Sequence, residues 1–260
     1  MLLLSSLALT ALVLAVAARA DGDPASDILA FQSVYFPNQA PSPSSHAALE
    51  QAVRKVYLGH DRLRVALVHT ADDLGAIPSL FNKPADYARF LGLEIQFYYV
   101  GPLLVVMPSG FGIFDGGRST AAEERILSSL RVAGGSPDEL THSATVAVQR
   151  LRAAGALQSP DILRPQASAI AATVVRGKPA KLRYDVYDDS GWSRGVVRVK
   201  SGSSLIAKLT SPQRLKVGTR QVAVTWHVPK RLPGGTLRFC VFAFDPDGNR
   251  SNQSCVPIVH

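Results

Sequence analysis

Between Gly155 and Ser168 the chain changes its texture, and this division does most to limit what it can fold into. The stretch reads Gly-Ala-Leu-Gln-Ser-Pro160-Asp-Ile-Leu-Arg-Pro165-Gln-Ala-Ser, with two prolines and no sustained apolar period. Before it, helical and strand patterns alternate. After it come short β-branched and aromatic runs punctuated by Gly, Pro, Asp and Asn. A chain of 260 residues is long enough for two cores. The expected plan is therefore a signal peptide over 1–20, an α/β domain over 21–160, a linker over 161–168 and an all-β domain over 169–260.

In the first domain, 28–36 reads as a strand. Pro41 to Ser45 leads into a helix that buries Leu49, Ala52, Val53, Val56 and Tyr57 at helical spacing and ends at Gly59. A short apolar strand spans 63–68. Pro84 opens a second helix with Tyr87, Phe90, Leu91 and Ile95 on one face. Leu103 to Met107 is an apolar strand stopped by Pro108. Thr120 to Glu123 and Ser136 to Glu139 both have the form of a capping box and announce two more helices. Strands separated by helices are expected to run parallel, with helices covering the sheet.

In the second domain the expected strands are 171–176, 180–187, 195–200, 204–209, 222–228, 236–244 and 254–259. They are separated by Asp189-Ser-Gly191, Ser201-Gly202, Pro233-Gly-Gly235 and Asp247-Gly248. So many short strands in so little chain point to a β-sandwich. Trp226 fits a core position better than a stacking platform for sugar.

The two cysteines, Cys240 and Cys255, lie symmetrically about Asp247-Gly248, a strong hairpin signal. Folding about that dipeptide puts them directly opposite, within disulfide reach of about 5.5 Å between Cα atoms. Two thiols without clustered histidines make a poor metal site.

The N-terminus gives an address. Leu2 to Ala18 is uncharged, and Ala18-Arg19-Ala20 has the small residues of a signal-peptidase site, so the mature chain is expected to begin at Asp21. No Lys or Arg follows Met1, which departs from the usual positive start. The apolar run sits at the low edge of the ~17–25 residues that span a bilayer, so an uncleaved anchor is the alternative. The protein is thus expected in the cell envelope or outside it, with membrane contact only if the leader stays.

The net charge is +8, from scattered basic residues without a dense run. That reads as a generally basic surface. The partners such a charge attracts outside the cell are anionic envelope polymers or lipid heads. Nucleic acid is not expected without a basic stripe interleaved with aromatics.

The segment Cys240-Val-Phe-Ala-Phe-Asp-Pro-Asp-Gly-Asn-Arg-Ser251 resembles the closing hairpin of bacterial immunoglobulin-like and fibronectin type III-like domains, which implies that fold and little about function. Asp245, Asp247 and Asn249 could be taken for a calcium loop, but the remaining oxygen ligands of that motif are missing and turn chemistry explains them better. Asn252-Gln-Ser254 is a glycosylation sequon, meaningful only in a host with that machinery.

Residues 27–115 resemble the TPM domain family. The resemblance rests on the order of elements, on Tyr87-Ala-Arg-Phe-Leu91 in the second helix and on Gly101-Pro-Leu-Leu-Val-Val-Met107 as the next strand. It implies a small α/β/α sandwich, usually exported or tethered to a membrane, with calcium binding or weak phosphatase activity in some members. Members usually carry an aspartate just after the first strand. Here the stretch is Tyr35-Phe-Pro-Asn38-Gln, and an amide can ligate a cation but brings no charge.

Open parallel sheets bind ligands beyond the carboxyl ends of their strands. Three loops are expected there, carrying Asn38; His69, Asp72 and Asp73; and Ser109 and Asp115. Converging, Asn38, Asp72, Asp73 and Asp115 could hold calcium or magnesium, with His69 as acid or base. The alternative is that Asp72 or Asp73 caps the following turn, Asp115 sits in a solvated Asp-Gly turn and His69 ends a strand. No nucleophile elbow, P-loop or zinc-spaced histidine pair occurs. The glycines Gly110, Gly112, Gly116 and Gly117 read as loop formers before an anion contact. The expectation is a non-catalytic binding or scaffold protein of the bacterial envelope, its partner an envelope protein or polymer. The alternative is a divergent metal-assisted phosphoric ester hydrolase using the loop aspartates.

Overall fold

In a computed structural model the structure describes residues 22–260. The leader, with Ala18 and Ala20, lies outside the described residues. No helix among the described residues is long and apolar enough to cross a membrane.

The first domain contains α1 (Pro24–Leu29), β1 (Val34–Tyr35), α2 (Pro43–Leu58), β2 (Arg64–Leu67), α3 (Pro84–Glu94), β3 (Pro102–Met107), β4 (Gly110–Asp115), α4 (Ala121–Ser128) and α5 (Pro137–Ala153). The sheet order is β1-β2-β3-β4. Strands β1, β2 and β3 are parallel, as alternation with helices requires. Side chains alternate between two apolar clusters. Val65, Leu67, Leu104 and Val106 pack with Leu49 and Val53 of α2 and with Leu140 and Val148 of α5. Ala66, Val68, Leu103 and Val105 pack with Leu29 of α1 and with Tyr87 and Leu91 of α3. With helices on both faces, β3 is buried along its whole length, which explains its unbroken apolar run.

Three expectations are corrected here. The expected strand over 28–36 begins as a helix: Asp23 accepts a hydrogen bond from Ala25 N and Pro24 supplies the first helical turn, so only Val34 and Tyr35 are extended. The glycine-rich stretch after Pro108 is a strand, not a loop. It turns back at once and pairs antiparallel with β3, Met107 opposite Gly110 and Pro102 opposite Asp115. Gly112 permits this, since a Cβ there would lie 1.9 Å from Pro84 O at the start of α3. Finally, Thr120 does not form its expected box. Its hydroxyl donates to Glu124 while Glu123 is buried. The box of Ser136 and Glu139 is present.

The second domain holds β5 (Gln166–Ala169), β6 (Ala172–Thr173), β7 (Pro179–Tyr187), β8 (Trp192–Ser201), β9 (Ser204–Thr210), β10 (Arg214–Leu215), β11 (Arg220–His227), β12 (Leu237–Phe244) and β13 (Ser254–Val259). One sheet runs β10-β8-β12-β13-β6, with β9 also on β8, and the other runs β11-β7-β5. Their inner faces form one core in which Leu182, Tyr184, Val224 and Trp226 meet Val197, Val199, Phe239 and Val241. This is a β-sandwich. Two strands go beyond expectation: β5 starts inside the predicted linker, and β10 is a short edge piece.

Cys240 pairs directly with Cys255, and the two are bonded. Their Cα atoms are 4.0 Å apart, nearer the spacing of a non-hydrogen-bonded pair than of a hydrogen-bonded one. At the hairpin tip Phe244 opposes Arg250, one residue out of step, so an extra residue is taken up before Ser254.

The sandwich meets the α/β domain at the amino-terminal ends of the parallel strands. Trp192 Nε1 donates to Tyr57 O at 2.8 Å, and Leu215 and Val217 pack against the α2 side of the first core.

Candidate functional site

The expected strand-end site is only partly assembled. Asp73 is buried after β2, and its carboxylate accepts from Asn38 N, His69 N and Thr70 N, each at 2.8 Å. It thereby caps the 3₁₀ turn Ala71–Leu74 and ties the loop after β1 to the loop after β2. Those backbone donors take three of the roughly four acceptor positions of the carboxylate. Asp72 is exposed, and the Asn38 side-chain amide lies 3.5 Å from its carbonyl oxygen. His69 Nδ1 is 2.6 Å from Gly135 O, so that nitrogen carries the proton.

Asp115 does not join them. Because β4 runs back along β3, Asp115 lies at the opposite end of the sheet, ~17 Å away for a strand of this length. It is buried there, accepting from Ser159 Oγ at 3.1 Å, and is not in a solvated turn. The expectation that Asp72, Asp73 and Asp115 converge is therefore corrected: the strand read as a loop reverses the chain and carries Asp115 off.

The carboxylates that do converge are Asp161, Asp188 and Asp245. Each offers an oxygen, and these atoms all lie within 4.8 Å of one another. Asp161 follows the end of the α/β domain, Asp188 follows β7, and Asp245 follows β12. All are buried, as is the neighbouring Asp189. Arg62, just before β2, donates to Asp189 and lies 3.4 Å from Asp161. It also donates to Pro160 O at 2.6 Å. Asn249 Nδ2 donates to Asp161 O, and Asp161 N donates to Asp247 at 3.1 Å. Within its own hairpin Asp245 accepts from Asn249 N and Nδ2, each at 2.8 Å, which is turn chemistry.

Burial, followed by the charge of Asp189, pushes the Asp161 carboxyl up to about 7. Burial pushes Asp188 up to about 8, against the opposing hydrogen bond from Ser190. Asp245 is also raised, again chiefly by burial. Asp161 and Asp188 each keep one buried oxygen, Oδ2, without a hydrogen-bond partner. Sequence reasoning missed this group because its members sit in three separate turns. Of the three, Asp245 alone draws notice in the sequence, in a loop that turn chemistry explains, and nothing there links it to Asp161 and Asp188.

The outer face of the larger sandwich sheet forms a second feature. Arg194, Arg198 and Lys200 of β8 stand opposite Phe244, Cys240 and Arg238 of β12. Lys208 of β9 is opposite Arg198. Arg198 and Arg250 both lie over the Phe242 ring, at 4.9 and 4.2 Å from its centroid, and Arg194 lies 5.7 Å from that of Phe244. Strands β8, β9, β12 and β13 carry no acidic residue.

No protein-family model matches the sequence, and no curated protein matches it. Solved structures similar to part of the chain include a PKD domain of an M14-like peptidase from a Thermoplasmatales archaeon. It covers 37% of this chain and 91% of that one, at 12% identity and TM-score 0.26. Fibronectin(III)-like modules of CbhA from Clostridium thermocellum cover 38% of this chain and 47% of that one, at 19% identity and TM-score 0.25. A CARDB domain from Pyrococcus furiosus covers 39% and 98%, at 12% identity and TM-score 0.25. The β-sandwich assignment rests on the strand pairing described above.

Proposed function

We propose that this is an exported, non-catalytic binding protein of the cell envelope, with a TPM-like α/β/α domain and an immunoglobulin-like sandwich that binds an anionic envelope polymer. The observation that carries the reading is the basic outer sheet face. Arg194, Arg198, Lys200, Lys208, Arg238 and Arg250 share one side of the sandwich, with no acid on its strands to neutralise them. Phe242 lies within cation–π distance of Arg198 and Arg250, and a row of such cations along a sheet face suits a chain of phosphates or carboxylates. Against catalysis stands the engagement of Asp73 in backbone capping and the remoteness of Asp115.

The test is a titration of labelled polyphosphate, with neutral dextran as control. The full chain is expected to bind polyphosphate and not dextran. Arg198→Glu with Arg250→Glu is expected to weaken binding at least about tenfold, since reversing charges costs both attraction and added repulsion. Equal binding of dextran, or unchanged affinity in the double variant, would refute the reading. Hydrolysis of a phosphate ester in calcium or magnesium, lost in Asp72→Ala, would refute the non-catalytic part. Export is tested by N-terminal sequencing of the mature protein: Asp21 is expected at position one, and an intact Met1 would mean a retained anchor.

A further inference from the structure

We infer that Asp161, Asp188 and Asp245 form a calcium site at the joint between the α/β domain and the sandwich. The first reason is geometric. Two oxygens on opposite sides of a calcium ion, each ~2.4 Å from it, are ~4.8 Å apart. One oxygen from each of the three aspartates already lies within that span of the others, close enough to share one ion. Magnesium dehydrates reluctantly and is seldom held in an all-protein cage, so a buried carboxylate group favours calcium.

The second reason is the state of the oxygens. Asp161 Oδ2 and Asp188 Oδ2 are buried and have no hydrogen-bond partner, and Asp189 Oδ1 is in the same condition. Leaving a buried carboxylate oxygen unsatisfied is costly, and the usual remedies are a proton, a cationic side chain or a metal. Arg62 supplies one cation, shared between Asp161 and Asp189. Among the described residues neither Asp188 nor Asp245 has an ion-pair partner. A divalent cation held by the three aspartates supplies the missing charge and a partner for the orphaned carboxylates of Asp161 and Asp188. All the donors are hard carboxylates, with no sulfur or imidazole among them, and that selects an alkaline-earth ion.

The site would act as a clasp. Its ligands come from the end of the α/β domain, the β7–β8 turn and the β12–β13 hairpin, so one ion would tie the linker to both sheets of the sandwich. The mechanism is independent of the polymer-binding face, and either can fail without the other.

The experiment is calorimetric titration of the chelator-treated full chain with calcium chloride and then magnesium chloride, with thermal unfolding in parallel. One calcium per chain is expected, with a Tm raised by several degrees at saturation and magnesium at least about tenfold weaker. Asp188→Asn and Asp245→Asn, made separately, are each expected to raise the calcium Kd at least about tenfold, while Asp72→Asn leaves it unchanged. If one variant does not fold, the other carries the assignment, and the unmodified chain stands as its own test. No heat and no Tm change with calcium would mean that the cluster is held by protons alone and would overturn the inference. So would binding that survives both variants, or that is lost in Asp72→Asn. Equal affinity for magnesium would overturn the assignment to calcium.

Discussion

Asp73 and Asp23 show how aspartates divide between cap and cost. Asp73 follows Thr70 at the spacing of a capping box, and with three backbone donors on its carboxylate its role is structural. Asp23 also caps, accepting from Ala25 N and from Tyr87 OH, but its Oδ2 is buried without a partner. Burial pushes its carboxyl up to about 6, with the Tyr87 hydrogen bond opposing. A raised acid prefers its proton in the folded state. Above the unfolded value of 3.8 the unfolded chain releases that proton first, so stability falls as pH rises from about 4 to about 6 and is not regained above. At about 1.4 kcal/mol per pKa unit, the loss comes to about 3 kcal/mol. Denaturant unfolding from pH 4 to 7 should show that decline in the wild type, and Asp23→Asn should lack that portion of it. Parallel pH curves for the two would contradict the assignment. The cap by Asp73 was among the readings that local spacing offered; the cap by Asp23 was not, since 28–36 read as a strand. The acidic cluster could not be read from spacing, because Asp161, Asp188 and Asp245 become neighbours only when both domains have folded and docked.

Among the elements, the last hairpin was the most legible and the strand after Pro108 the least. Cysteines symmetric about Asp247-Gly248 give a register, and Cys240 opposite Cys255 follows from it. The tip itself is centred on Asp247, with Phe244 opposite Arg250, and the one extra residue taken up before Ser254 brings the ladder into the register that pairs the cysteines. Gly110 to Asp115 was misread because glycines suggest a loop, whereas here Gly112 admits α3 onto the strand. Helix α2 buries the five residues its period indicated, Leu49, Ala52, Val53, Val56 and Tyr57. The disulfide closes a loop with a sequence separation of 15, for which chain entropy gives about 3 kcal/mol. Cys240→Ala with Cys255→Ala should lower the unfolding free energy by about that amount in denaturant titrations. A change below about 1 kcal/mol would show that β12 and β13 hold their register without the bond.

At the scale of the whole molecule, charge and partition decide the account. Two patterns with different periods meet at the proline-containing segment, and the helices lie before it and the long antiparallel strands after it. The basic face was not visible, since its members are spread over three strands and the last hairpin and read as scattered charge until register aligns them. The sandwich docks on the amino-terminal side of the α/β sheet, away from Asn38, Asp72 and Asp73, so joint, sheet face and strand-end loops can be probed independently. The central claim is that binding resides on the sheet face. Its most direct test is the salt dependence of polyphosphate affinity for three proteins: the wild type, Arg198→Gln with Arg250→Gln, and Asp72→Asn with Asp73→Asn. Counterion release makes the logarithmic slope a count of the cations engaged. The account predicts a steep slope for the wild type, a slope shallower by about two for the arginine pair and an unchanged slope for the aspartate pair. A slope near zero in the wild type, or one that the arginine substitutions leave unchanged, would contradict it.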